Sequence, residues 1–287
     1  MQLANFKKVF FEELSDFYPD TEVQSFYFML TQQFLGKSRL ELALEPECEI
    51  LEEQRNQFQD ALDRLKIHEP IQHILERSEF FGLTFKVSKE VLIPRPETEE
   101  LVSWILEDFS SEEKLIRILD IGSGSGCIPI SLAKNLSSAE VHSWDVSAEA
   151  LKIAEFNAKF NNLGVNFQLK DILETKDLEQ EFDVIVSNPP YVRNLEKKEM
   201  HANVLNHEPA LALYVDDKDP LIFHRKISEL AAKNLKVGGS LYFEINQYLG
   251  AETLEIVRRF GFEAGLKKDI FGNDRMLRAI KKNEGAL

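Results

Sequence analysis

The chain has 287 residues, 44% of them hydrophobic and 29% charged, which excludes disordered and collagen-like chains and suits one or two globular domains. Acidic residues outnumber basic ones by 49 to 34, a formal charge of −15, which argues against a general phosphate-gripping surface because that needs a basic face. The only cysteines, Cys48 and Cys127, form no Cys-x-x-Cys pair and the six histidines are scattered, so neither a disulfide framework nor a metal site is expected.

The opening residues lack a basic stretch followed by an apolar core, so no secretory leader is expected. No apolar run approaches the ~20 residues of a membrane span, and the expected location is cytoplasmic. Leu3, Phe6, Phe10, Leu14 and Phe17 then repeat at helical spacing. Tyr18-Pro19 breaks the pattern, and Asp20 or Thr21 is placed to cap a second helix bearing Val23, Phe26, Leu30 and Phe34. Gly36 ends that helix, Ser38 caps a short third one, and residues 47–66 read as a charged fourth. The aromatic stripe is read as the core of a small helical domain.

Phe80 to Val87 alternate around Gly82, the pattern of a hairpin. Pro94 and Pro96 bracket Arg95 in a stiff connector, after which Glu97 or Thr98 opens a helix carrying Leu101, Val102 and Ile105. The boundaries expected are a helical domain at 1–76, a hairpin and linker at 77–96, and an α/β domain at 97–287. In the last of these, strands at 116–121, 141–146, 167–169, 182–187, 239–245, 262–268 and 275–281 alternate with helices to about 136, at 148–160, at 221–235 and at 251–260. Apolar strands separated by amphipathic helices predict a parallel, doubly wound, Rossmann-like sheet. No helix separates the last two strands, which points to an antiparallel final strand. Residues 188–219 read as one long irregular segment.

Two places carry chemistry. The strand ending in Asp120-Ile121 runs into Gly122-Ser123-Gly124-Ser125-Gly126 and then a helix, a turn where backbone can approach a ligand and N–H groups at the helix start can meet an oxygen-rich one. Dinucleotide enzymes share this turn. Three acids at the ends of consecutive strands favour S-adenosylmethionine instead: Asp120 toward the methionyl ammonium, Asp145 toward the ribose hydroxyls, and Asp171 toward the adenine amino group with Ile172 against the ring. A pyrophosphate would be repelled by Asp120.

The fourth strand ends in Ser187-Asn188-Pro189-Pro190-Tyr191. A conjugated NH2 is a poor nucleophile, and its two N–H bonds can be held by the Asn188 side-chain oxygen and the Pro189 carbonyl. That grip turns the nitrogen toward a methyl donor and stabilises charge as it develops. Pro190 stiffens the loop, and Tyr191 offers a flat face to a planar group. The donor is already cationic, so neither a metal nor an obligatory general base is expected. The exocyclic amines of adenine and cytosine and a glutamine carboxamide all present this NH2.

From about residue 70 to 281 the chain resembles the release-factor N5-glutamine methyltransferases. The resemblance is carried by Pro70–Leu75, Leu92-Ile93-Pro94-Arg95-Pro96-Glu97-Thr98-Glu99, Asp120–Gly126, Asp145, Asn188–Tyr191, His207–Leu213 and Gly272–Arg275. It implies a seven-stranded class I methyltransferase sheet and methylation of the glutamine in the Gly-Gly-Gln loop of bacterial peptide chain release factors. The helical domain would help dock that partner. Gly122, Ser123, Gly124, Ser125, Gly126, Asp145 and Asn188 would line the cofactor site. Asn188, Pro189, Pro190, Tyr191 and Glu208 would hold the glutamine, and no direct nucleic-acid binding is expected. The alternative is a DNA or RNA amino methyltransferase, which would need a basic cleft beside Tyr191; Lys197 and Lys198 there are flanked by Glu196 and Glu199. Three positions depart from the family pattern. Glu76 stands where glycine is usual, Asn246 follows Glu244-Ile245 where glycine is usual, and Ile172 stands where some relatives have an aromatic residue.

Overall fold

In the computed structural model, which describes residues 2–44 and 48–282, the N-terminal aromatic stripes close into a core of their own. Helices α1 (Leu3–Leu14), α2 (Asp20–Leu35), α3 (Arg39–Leu44), α4 (Glu52–Lys66) and α5 (Ile71–Ile74) form this part. Phe6 and Phe34 pack their rings 4.9 and 5.2 Å from that of Phe58. Phe10, Leu14, Leu30 and Phe58 are fully buried, each contributing about 1.5–3 kcal/mol of burial. α2 starts at Asp20 directly behind Pro19 without a side-chain cap. Asp20 therefore sits in the first turn, where its charge meets the helix dipole, and does not cap. Ser38 does cap: its hydroxyl accepts from the Glu41 N–H at 3.3 Å, and the Glu41 carboxylate accepts from the Ser38 N–H at 2.7 Å. α4 begins only at Glu52, because the stretch before it is extended and the Cys48 carbonyl accepts from the Leu3 N–H at 2.8 Å; position 47 lies outside the described residues. Glu76 takes a left-handed φ of +50°, the conformation that glycine adopts readily.

The chain divides into two compact units. One runs to Arg77 and takes in His201–His207; the other runs from Ser78 to Met200 and resumes at Glu208. A seven-residue segment expected inside the α/β domain is thus part of the helical unit, where His207 Nε2 lies 2.9 Å from the Ile67 carbonyl oxygen.

The strand β1 (Arg77–Phe80) crosses the boundary, and β2 (Leu83–Lys86) and α6 (Pro96–Phe109) follow in the second unit. α6 opens at Pro96, ahead of the expected Glu97 or Thr98, since a proline at the first helical position lacks an N–H that would have no partner anyway. The sheet domain follows as β3 (Ile116–Ile121), α7 (Cys127–Asn135), β4 (Ala139–Asp145), α8 (Ala148–Phe160), β5 (Asn166–Leu169) and β6 (Phe182–Ser187). The segment read as irregular holds short elements: β7 (Val192–Arg193), a 3-10 turn at Asn194–Glu199, α9 (Ala202–His207) of the helical unit, α10 (Ala210–Leu213) and β8 (Tyr214–Val215). The chain closes with α11 (Ile222–Asn234), β9 (Leu235–Glu244), α12 (Gly250–Arg259), β10 (Phe262–Lys268) and β11 (Asp274–Lys281).

The seven-stranded sheet has the order β10-β11-β9-β6-β3-β4-β5. β11 runs antiparallel to both neighbours, as the missing helix indicated, and the other pairings are parallel. Alternation along the strands separates two cores. Leu119, Ile121, Ile185, Leu241 and Phe243 pack with Ile227, Leu230 and Val257 of α11 and α12. Ile118, Val184, Val186 and Tyr242 pack with Leu101, Ile105, Ile130 and Leu132 of α6 and α7. From β3 the chain steps to β4 and β5 on one side, then returns to place β6 on the other. The strand order therefore reverses between β3 and β6, and sheets of this type bind ligands at the carboxyl ends beside such a reversal. Among the described residues no helix is long and apolar enough to cross a membrane.

Candidate active site

Ile121 pairs with Ser187 in the β3–β6 register. The next residues, Gly122 and Asn188, leave adjacent strands side by side, and a Cβ on Gly122 would lie 3.8 Å from the Asn188 carbonyl oxygen. The glycine turn and the Asn-Pro-Pro loop thus meet at one edge of a cavity of about 270 Å³. Gly122, Ser123, Gly124, Ser125, Asp145, Asp171, Ile172, Asn188, Pro189 and Pro190 all line it. Leu92, Pro94, Arg95 and Thr98 from the proline-rich connector line it too, as do Phe223 and Ile227 of α11.

The turn is held from within. The N–H groups of Gly122 and Ser123 donate to the Trp144 carbonyl at 2.8 and 3.2 Å, and that of Gly126 to the Ser123 carbonyl at 2.7 Å. The Gly124 N–H donates to Asp145 Oδ2 at 2.9 Å. Four N–H groups of the turn are therefore spent inside the protein. Gly126 has φ +82°, and a Cβ there would come within 2.8 Å of the Ile130 Cδ1 and 3.2 Å of the Ala154 Cβ, so helix and turn close only around glycine. Asn157 of α8 clamps the turn from below: its Nδ2 donates to the Ser125 carbonyl at 2.8 Å and to the Lys86 carbonyl at 2.9 Å, and its Oδ1 accepts from the Lys86 N–H at 2.7 Å. No sequence pattern marked Asn157, which reads as one more polar residue on an amphipathic helix.

Of the three acids, two face the cavity. Asp145 accepts from Gly124 and, through Oδ1, from the Ser147 N–H at 2.8 Å; each oxygen retains a lone pair for a ligand hydroxyl. Asp171 accepts from the Leu173 N–H at 2.8 Å, beside Ile172. Asp120 does not line the cavity as expected. Alternation along β3 places it on the same face as Ile118, where it is fully buried. The Ser143 hydroxyl donates to Asp120 Oδ2 at 2.6 Å, and the cavity-lining Ser123 hydroxyl lies 2.5 Å from that of Ser143. Asp120 Oδ1 has no partner. Burial, with the Asp145 charge adding and Ser143 opposing, pushes the Asp120 carboxyl up to about 7. Burial also pushes the Cys127 thiol up to about 12, which leaves it protonated and no nucleophile at neutral pH.

Two substrate residues also differ from expectation. Tyr191 does not line the cavity; its hydroxyl donates to Glu244 Oε1 at 2.8 Å, and burial followed by the Glu244 charge holds its phenol well above the usual range. Glu208 is a clamp on the connector: it is ion-paired with Arg95 and accepts from the Ile93 N–H at 3.2 Å. Its side chain is 1% exposed, so both oxygens are spent inside the protein. Asn246, where the related family has glycine, uses its side chain to donate to the Tyr191 carbonyl at 3.0 Å and to Glu196 at 2.9 Å. Thr98 and Glu244 join the site unannounced. Asn188 Nδ2 donates to Thr98 Oγ1 at 3.3 Å, and Thr98 Oγ1 donates to Glu244 Oε2 at 2.6 Å.

These features fit S-adenosylmethionine. The acids and the unpartnered Asp120 Oδ1 and Ser125 Oγ suit a ligand rich in hydroxyls and positive charge, and Ile172 and Val146 suit an adenine ring.

Comparison with known proteins agrees with this geometry. Residues 12–75 match the PrmC N-terminal domain family and residues 101–216 the methyltransferase small domain family. A crystal structure of a methyltransferase from Pyrococcus furiosus has the same fold, with a TM-score of 0.53 and 19% identity over 81% of this chain and 100% of that one. The release factor glutamine methyltransferase of Flavobacterium psychrophilum is 51% identical over 97% of this chain and 99% of its own. That of Bacteroides thetaiotaomicron is 43% identical over 93% and 96%. With paired helical and methyltransferase segments and near-full-length identity of this order, the chain belongs to the release factor glutamine methyltransferase family.

Proposed function

We propose that this chain transfers the methyl group of S-adenosylmethionine to the side-chain amide nitrogen (N5) of the glutamine in the Gly-Gly-Gln motif of bacterial peptide chain release factors. The observation that carries the reading is the meeting of Asn188 and Pro189 with Gly122–Ser125 of the glycine turn in one cavity that Asp145 and Asp171 also line. When bound, S-adenosylmethionine supplies a sulfonium-activated methyl group and leaves as a neutral thioether. Asp145 would hold the ribose hydroxyls with its remaining lone pairs, and Asp171 and Ile172 would hold the adenine. Asn188 Oδ1 and the Pro189 carbonyl accept the two N–H groups of the glutamine carboxamide and turn its nitrogen toward the methyl carbon. As the new C–N bond forms, the same two oxygens stabilise the positive charge gained by nitrogen, a contribution of about 10²–10³ in rate for one such group. One N–H proton then leaves to water, so no side chain need act as base. The helical unit is assigned to docking the release factor, and the reaction to the cytoplasm.

The test is to incubate the full chain with tritiated S-adenosylmethionine and a bacterial release factor, either intact or with the Gly-Gly-Gln glutamine replaced by alanine, and with duplex DNA in parallel. Label in the intact factor alone is expected. Label that persists in the alanine variant, or that enters the DNA, overturns the proposal.

A further inference from the structure

Resting on that reading, we infer that Thr98, held by Glu244, is a positioning residue that decides which end of the Asn188 carboxamide faces the substrate. A threonine hydroxyl has one proton to give. Here the proton is directed to Glu244 Oε2 at 2.6 Å; burial raises this carboxyl, and the Thr98 and Tyr191 hydroxyls and the Arg275 charge work against that rise. Only lone pairs are left toward Asn188, so its Nδ2 must face Thr98, at 3.3 Å, and Oδ1 must point the other way. That orientation is the one the chemistry requires. A flipped carboxamide would present NH2 to the substrate NH2, donor against donor, and would leave one substrate N–H without an acceptor.

The arrangement is well insulated. Thr98 and Glu244 are each 2% exposed, so water does not compete for these bonds. Glu244 stands at the end of β9, paired through the sheet with Met276, while Thr98 lies in the first turn of α6. The other Glu244 oxygen accepts from the Tyr191 hydroxyl at 2.8 Å. One carboxylate thus holds the first and last residues of the Asn-Pro-Pro-Tyr loop, the first through Thr98 and the last directly. Tyr191 and Thr98 gain a shared purpose: both hold the acceptor loop through Glu244.

Two measurements test this. Thr98→Val keeps the side-chain shape and removes the hydroxyl; Thr98→Ser keeps the hydroxyl. Thr98→Val is expected to lower kcat by about 10- to 100-fold, the scale of a misplaced reacting group, with cofactor Kd and release-factor KM little changed, and Thr98→Ser is expected to recover most of the rate. A Thr98→Val enzyme as fast as the parent, a Thr98→Ser enzyme as slow as Thr98→Val, or a loss that follows cofactor affinity overturns the inference. The second measurement needs no functional variant and no turnover: the nitrogen-15 NMR signals of the Asn188 side-chain NH2, identified by their loss in Asn188→Ala. A single pair exchanging slowly with solvent is expected in the parent and in Thr98→Ser. Two sets of signals, or exchange as fast as that of surface asparagines, overturns it. If the parent transfers no methyl to glutamine, the proposed function fails by itself, and the NMR result still tests whether the Asn188 carboxamide is held in one orientation.

Discussion

The Ser187 hydroxyl donates to the Ile121 carbonyl at 2.6 Å, tying the last residue of β6 to the last residue of β3. The methyl-acceptor loop starts one residue after the first and the glycine turn one residue after the second, so this bond helps set the distance between them. Ser187 is fully buried. Ser187→Ala is expected to reduce stability by about 1 kcal/mol, the net worth of a typical buried hydrogen bond, and to lower kcat as the two loops loosen. Denaturant titration and steady-state kinetics check both; unchanged kcat would show that the strand ends are held apart from this bond.

The glycines of the turn are not equivalent. A Cβ on Gly124 meets nothing within 4 Å, whereas one on Gly126 runs into Ile130 and Ala154, and both have positive φ. Gly124→Ala should cost about 1–2 kcal/mol for the left-handed backbone alone, and Gly126→Ala about 1–3 kcal/mol more for the overlap. Equilibrium unfolding of the two variants gives the comparison. Equal losses would mean that α7 and α8 can part at no penalty.

Glu208 was expected to touch the substrate, but it is bonded to Arg95 and Ile93. Glu208→Ala strands the Arg95 guanidinium, a third of which is exposed, and should cost about 2–3 kcal/mol, below the value for a fully buried pair for that reason. At a temperature where the variant is fully folded, its KM for the release factor should stay near that of the parent. A large rise in KM with unchanged stability would restore Glu208 to the substrate site.

Asp120 gives the protein a measurable pH dependence. An unfolded aspartate ionises near 3.8 and the buried one at about 7, so the folded pKa is the raised one. Below 3.8 the proton is held in both states and the contribution is complete. As pH rises toward 7, only the unfolded chain gives up its proton, and stability falls by roughly 1.4 kcal/mol per pH unit before levelling off. Asp120→Asn removes this slope. Relative to the parent, the variant should gain stability between about pH 4 and about pH 7; a pH-independent difference would show that Asp120 ionises normally in the folded protein.

Much of this was legible in the residues. Period-two and helical spacing located the strands and helices, because each buries one face. The turn, Asp145, Asp171 and the Asn188 loop stood out because each follows a strand that ends at the same side of the sheet. Thr98, Glu244 and Asn157 did not, because their value lies in partners 32 to 146 positions away, which no local pattern encodes. For the same reason Tyr191 and Glu208 were expected to face the substrate: motif position says that a side chain matters but not which way it points. The placement of His201–His207 in the helical unit depends likewise on contacts remote in the chain.

The most direct test of the central claim is Asn188→Ala, read by calorimetric binding of S-adenosylmethionine and by methyl transfer to a release factor on the same preparation. Asp145, Asp171 and the glycine turn remain in that variant, so the cofactor should bind with nearly parental affinity while transfer falls by at least about 10²–10³. Transfer at the parental rate, or a loss that disappears once the cofactor is saturating, would contradict a mechanism in which this carboxamide holds the nucleophile.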